Sequence, residues 1–143
     1  MHKINQIFIK SVVKRALDED LKPKGDITTN LISLKNKKTT AKIIAKQNGI
    51  VAGLNFCKAA FKLIGKETIF IGKVKDGSKV KKNKVIAEIK AKTRTILIAE
   101  RTALNFLNHA SGIASLTSQF VQKVNKKTKI CCTRKTTPNL RLL

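Results

Sequence analysis

The apolar positions of this chain alternate between two periods. From 4 to 17, Ile4, Ile7, Phe8, Ser11, Val12 and Ala16 fall near one face of a 3.6-residue repeat, which predicts a helix. Pro23 and Gly25 in "DLKPKGDITTNLI" stop it, and Asp26 is placed to cap the short turn that follows. "TTAKIIAKQNGIVAGL", 39 to 54, reads as a strand pair or one bent strand around Gly49. Helical spacing returns in "NFCKAAFKLIG", 55 to 65, at Phe56, Ala59, Ala60, Leu63 and Ile64, with Gly65 as the stop. Strands are predicted over about 68–75 and 84–90, with Asp76-Gly77 as the turn between them. From about Thr95 a long helical stretch carries Leu97, Glu100, Arg101, Leu104, Asn105, Leu107 and Asn108. "SGI" at 111–113 permits a break, and a second helix, with Ile113, Leu116, Phe120, Val121 and Val124, runs to about Lys126. A short β-type run, 128–132, then leads into "TRKTTPNLRLL".

This order gives an α+β chain that closes on a new strand with no sequential partner. Such a strand either begins a second, βα-type domain or adds to the sheet already present.

Size and charge refine that picture. With 143 residues, 42% of them hydrophobic, the chain is long enough for one domain with a core and short enough to belong to something larger. The 31 basic residues against 8 acidic ones give a formal charge of +23, which favours anionic partners. Only Arg15, Arg94, Arg101, Arg134 and Arg141 are arginines. The lysines are spread over the whole length, as on a solvated surface, so the few arginines are the more informative cations: a planar guanidinium meets carboxylate or phosphate through paired hydrogen bonds. Trp and Tyr are absent, which weakens any reading as a base-stacking nucleic-acid binder.

No apolar run approaches membrane-spanning length. Cys57, Cys131 and Cys132 have no metal-binding spacing and read as small hydrophobes. Their odd number, without a secretory signal, points to a reducing compartment. The basic amphipathic start is followed at once by Asp18, Glu19 and Asp20, unlike a transit peptide. The expected location is cytoplasmic.

Four places bear on chemistry. Glu100 and Arg101 in "AERTALNFLNHASGIAS" sit near an expected helix start, either as an ion pair or with the arginine offered to an anion. "TRKTT" after the last strand is either a basic tail or a charged loop of the kind that carries active sites in barrel folds. Glu19, Asp20 and Asp26 form either an acidic metal site or a capped turn. His109 has no Ser or Cys partner nearby and reads as a helix-surface or core residue.

Together, "ALDEDLKPKGDITTNLI", "AKIIAKQNGIVAGL", "AERTALNFLNHASGIASLTSQFV" and "TRKTTPNLR" resemble the quinolinate phosphoribosyltransferase family, the carboxylating nicotinate-nucleotide pyrophosphorylases. The resemblance covers almost the whole chain. It implies an N-terminal open α/β sandwich domain, 1–110, followed by the start of a C-terminal α/β barrel, 111–143. It also implies transfer of phosphoribosyl from phosphoribosyl pyrophosphate (PRPP) to quinolinate with decarboxylation, giving nicotinate mononucleotide for NAD synthesis. Magnesium (Mg2+) would accompany PRPP, held by residues beyond 143. The expected assembly is a homodimer or larger, without nucleic acid or membrane as partner. Arg101 matches an arginine lent to the neighbouring subunit's site, and Thr133, Arg134 and Lys135 match substrate-binding residues on the first barrel strand and its loop.

The chain departs from the family pattern in three places. Cys132 stands where an acidic residue is usual before "TRKT", and Asn139 where a glycine follows "TTP". About 30 residues are available for a barrel that usually takes roughly 200 or more, and the later Gly-rich and "HR" motifs are missing. The expectation is therefore an incomplete, inactive copy of the enzyme. Two other readings remain open: a lipoyl- or biotinyl-like carrier module, although Lys90 and Lys92 lack the usual neighbours, and a basic nucleic-acid-binding domain.

Overall fold

The computed structural model describes residues 4–23, 25, 26, 29, 37–124, 128–133 and 135. Helix α1 spans Gln6–Leu21, longer at its C-terminal end than the apolar period suggested. The Asn5 side chain caps it by accepting a hydrogen bond from the Ile7 amide at 2.8 Å. Ile9, Val12, Val13 and Leu17, spaced three and four apart, form its buried stripe.

The sheet comes next. β1 spans Lys38–Ile44, β2 Gly49–Ile50, β3 Ile69–Gly72, β4 Lys79–Val80 and β5 Val85–Lys92. Helix α2, Leu54–Ile64, lies between β2 and β3, and helix α3, Thr93–Lys123, follows β5 directly. β1, β5 and β3 make a three-stranded antiparallel sheet with β5 in the centre. Ala41 of β1 and Phe70 of β3 both stand opposite Ile89. Ala87, Ile89 and Ala91 alternate toward the helices and are buried, whereas Lys38, Thr40, Lys42 and Lys90 are exposed. The helices pack on one side only, with α2 and α3 against each other and α1 across them. The result is an open-faced α/β sandwich.

Several expected joins differ. The 39–54 stretch is not a hairpin: β1 pairs with β5, and β2 pairs with β4 in a separate two-stranded ladder. Asp76-Gly77 does make a turn, but it feeds β4 rather than joining β3 directly to β5. The turn is locked to the segment before α2. The Gly77 amide donates to Val51 O at 2.7 Å, and the Val51 amide to Ser78 O at 3.0 Å. Asp76 Oδ1 accepts the Leu54 amide at 3.0 Å. Gly53, the N-cap residue, has no side chain to cap α2, so a carboxylate from 22 residues away supplies the missing acceptor at the positive end of the helix.

Helix α3 runs unbroken through 111–113, so the expected break is absent. A helical glycine costs roughly 1 kcal/mol relative to alanine, less than what Ser111 and Ser115 contribute on either side of Gly112. Ser115 Oγ accepts the Ile50 amide at 2.8 Å. Ser111 Oγ accepts the Ala52 amide at 3.0 Å and donates to Ala52 O at 3.1 Å. This approach needs small residues opposite the helix. A Cβ on Gly49 would lie 2.7 Å from Ser115 Oγ. Gly53 has φ +94°, and its Cβ would come 3.1 Å from Phe106 O and 3.2 Å from Ala110 Cβ. Phe56 and Phe106 stack beside this seam with ring centroids 5.3 Å apart. Cys57, fully buried here, has its thiol pushed up to about 12 by burial and by the charge of Asp76.

Asp26 caps its turn as expected. Its Oδ1 accepts the Thr29 amide at 3.0 Å, and its Oδ2 accepts the Thr29 hydroxyl. These bonds, side chain first, hold the Asp26 carboxyl below its ordinary range, aided weakly by Arg101 and Arg94. The 128–132 run is not a strand: its described residues are exposed and carry no ladder, and Cys131 and Cys132 are exposed rather than packed as small hydrophobes. A strand exists only where a neighbour accepts its backbone bonds, and β1, β3 and β5 do not pair with it.

Three substitutions test this architecture. Gly53→Ala is expected to lower unfolding stability by about 1–3 kcal/mol in urea titration. Gly112→Ala, where a Cβ meets nothing within 4 Å, is expected to raise it by about 0.5–1 kcal/mol. Asp26 has a depressed folded pKa, so its contribution is present above the unfolded value of about 3.9 and is lost as pH falls through the lower folded value. Asp26→Asn should therefore lower the urea midpoint at neutral pH, and the gap from the parent should close as the titration moves below about pH 4.

Candidate functional site

Arg101 lies on α3, two turns beyond its start at Thr93 rather than near a helix start. The turns of α3 around it point Ala99, Thr102 and Ala103 into the core, which leaves Glu100 and Arg101 outward. The ion-pair partner of Arg101 is not Glu100. Its Nη1 donates to Asp20 Oδ1 at 2.9 Å, joining α3 to the last turn of α1 across 81 residues of sequence. The Arg101 side chain is 75% exposed and that of Asp20 only 22%.

Beside this pair, α1 and α3 border an open groove of about 800 Å³. Glu19, Asp20, Thr102, Asn105, Asn108 and His109 supply its polar wall, with Ala16 and Phe106 beneath. Sequence reasoning gave Asn105 and Asn108 no role and placed His109 on a helix surface or in the core. The structure places His109, exposed, on the groove rim. A second cleft, about 630 Å³, opens between the sheet and α3, where Val51, Ile86, Ile89 and Leu107 make its floor. Lys42, Lys46 and Glu100 stand among its polar edges. The α1–α3 groove is taken as the candidate because Asp20 on its wall holds Arg101.

Thr133 and Lys135 follow α3, exposed and without regular structure. Arg134 lies outside the described residues. Neither Thr133 nor Lys135 lines the groove beside Arg101. Within one chain, Arg101 and Lys135 stand on different segments, α3 and the stretch after it. The C-terminal half of α3 also displays Ile113, Leu116, Phe120 and Val121, each more than half exposed, on a surface that no described element covers.

Of the two readings of Glu19, Asp20 and Asp26, the capped turn is the one seen, at Asp26. Asp20 is taken by Arg101 and Asp26 by Thr29, and among the described residues no group of three or more His, Cys, Asp or Glu could hold a metal ion. No helix among the described residues is long and apolar enough to cross a membrane.

Comparison with known proteins bears directly on these features. Residues 26–111 match the family model for the quinolinate phosphoribosyl transferase N-terminal domain, and residues 113–143 match that for the C-terminal domain. A probable nicotinate-nucleotide pyrophosphorylase (carboxylating) of Methanocaldococcus jannaschii is 42% identical over 136 residues, covering 93% of this chain and 46% of that protein. The corresponding Bacillus subtilis protein is 36% identical over 141 residues, covering 98% and 48%. The solved nicotinate-nucleotide pyrophosphorylase of Francisella tularensis superposes with a TM-score of 0.91 at 35% identity, covering 98% of this chain and 50% of that one. The chain thus spans about half the length of the relatives it matches. A family model that matches most of the chain, together with relatives and a solved structure that match nearly all of it, shows that the chain belongs to the quinolinate phosphoribosyltransferase family.

Proposed function

We propose that this chain forms the N-terminal sandwich and the beginning of the barrel of a quinolinate phosphoribosyltransferase, with the division near residue 111 falling inside α3. The whole enzyme would join quinolinate to PRPP. The pyridine nitrogen attacks the anomeric carbon, the bond to pyrophosphate breaks with its electron pair going to the pyrophosphate oxygen, and the quaternised ring then loses the 2-carboxylate as carbon dioxide, the electron pair left on ring carbon 2 taking up a proton from water. Thr133, Arg134 and Lys135 would bind the substrate anions from the barrel side. Arg101 would be lent to the site of a neighbouring subunit in a homodimer or larger assembly.

The observation that carries this reading is the exposure of Arg101 on a rigid helix, apart from Lys135. A dicarboxylate and a pyrophosphate ester repel one another, so their encounter needs several cations directed at one place. One charge-assisted hydrogen bond contributes roughly 1.5–3 kcal/mol net. Positive groups near the departing pyrophosphate act further, because charge accumulates there in the transition state. In this chain the cations stand on separate elements, an arrangement that a second subunit can bring together. The bare apolar side of α3 beyond residue 113 is suited to the packing this requires. No step is routed through magnesium, since the described residues offer it no ligand set.

A two-part enzyme that joins this chain to the remaining half of the Bacillus subtilis relative tests the reading. Pyrophosphate release from PRPP should depend on quinolinate. Arg101→Ala and Lys135→Ala should each lower kcat/KM by roughly 10- to 100-fold, the scale of one or two lost charge-assisted bonds. A folded two-part enzyme with no quinolinate-dependent release, or unchanged kinetics in both variants, contradicts the assignment.

A further inference from the structure

The acids of α1 are placed against the local electrostatics. The last turn of a helix carries partial negative charge from its unpaired carbonyls, which disfavours anions and favours cations. Yet Asp18, Glu19 and Asp20 all fall in the final turn of α1; Lys22, just past it, pairs with Asp18 at 3.4 Å, and Asp20 is left to a residue of another helix. They are three of only 8 acidic residues in a chain of net charge +23. A local choice that opposes the fold's own electrostatics, with an identifiable partner, marks a functional constraint.

The partner of Asp20 is Arg101. Asp20 is largely sheltered, while the guanidinium projects into solvent, so the carboxylate is the fixed end of the pair. An exposed ion pair adds little to stability, so the value of this one lies in orientation. Asp20 engages Nη1 alone. The opposite edge, Nε with Nη2, has no hydrogen-bond partner among the described residues, and that edge is the fork that meets a carboxylate or phosphate through two parallel bonds. Asp26 also lies within the field of Arg101, but its oxygens are committed to Thr29.

We propose that Asp20 is a positioning residue for Arg101: it clamps one nitrogen of the guanidinium so that the Nε–Nη2 edge is preset to receive an anionic substrate. This rests on the reading of Arg101 given under Proposed function. Immobilising a long, rotamer-rich side chain at the moment of binding weakens affinity by roughly 3- to 10-fold. A preset arginine avoids that loss. A carboxylate that merely lowered the local potential would act in the opposite sense, because removing it would tighten anion binding.

The test uses the isosteric Asp20→Asn in two settings. In the 143-residue chain, nitrogen-15 NMR should show slow rotation of the Arg101 Nη groups in the parent and fast rotation in the variant. Melting temperature should hold or rise, because a misplaced charge leaves the end of α1. In the two-part enzyme, Asp20→Asn should raise the KM for quinolinate or PRPP roughly 3- to 10-fold, with kcat changed less than about twofold. The rise should vanish when Arg101 is already alanine. Equal rotation in parent and variant, a KM that falls or stays fixed, or the same rise without Arg101 would overturn the proposal. If Arg101→Ala itself leaves the kinetics untouched, the assignment of Arg101 fails as well. If Arg101→Ala is damaging and Asp20→Asn is silent, only the positioning role fails.

Discussion

The seam between α3 and the segment before α2 is the constraint on which the rest depends. Ser111 and Ser115 replace the missing ladder partner of Ile50 and Ala52 with side-chain oxygens. Those bonds are possible because Gly49 and Gly53 let the helix come close enough. Buried backbone groups that lose their partners cost more than a typical bond contributes, so the seam tolerates little change. With α3 seated there, the positions of the core residues Ile96, Ala99, Ala103 and Leu107 follow, and so does the outward direction of Arg101.

The same helix links packing to function. Its first half is a core element, with one stripe buried against the sheet and α2. Its second half leaves the core and presents bare Ile113, Leu116, Phe120 and Val121. Between these lies the groove shared with α1, where polar residues and the Arg101–Asp20 pair collect. A rigid element that carries a cation beside an unpaired apolar surface fits a residue used across a subunit boundary. The positive charge of the chain as a whole favours anionic partners, but the 26 lysines are spread too widely to define a site.

Much of this was legible in the sequence, for stated reasons. The helical stretch 55–65 corresponds to α2 at Leu54–Ile64 because its apolar spacing and Gly65 both mark it. The Asp26 turn was readable from residue type alone, since the capping acceptor and donor are neighbours. What escaped was non-local. Periodicity cannot report that β2 leaves β1 and joins β4, or that Asp76 caps a helix begun 22 residues earlier. Gly112 suggested a break because the serines that hold the helix together across it act on another segment. The 128–132 run has strand-like composition, but composition supplies no partner strand. Three of the four family motifs, by contrast, turned out to be sides of a tertiary contact: "QNGIVAGL" against "NHASGIAS", and Asp20 of "ALDEDL" against Arg101 of "AERTALN". Arg134, the remaining cation of the expected loop, lies outside the described residues.

The central claim is that Arg101 serves a pocket whose other walls belong to a different subunit. Subunit mixing tests this most directly. Two impaired two-part enzymes, one carrying Arg101→Ala and the other Lys135→Ala, would be unfolded, mixed in equal amounts and refolded together. If the arginine acts across the boundary, each mixed dimer regains one intact site, and activity should recover to about a quarter of the parent value by random pairing. Recovery of nothing beyond the two separate backgrounds, with mixed dimers present, would place both residues in the same subunit's site and contradict the account.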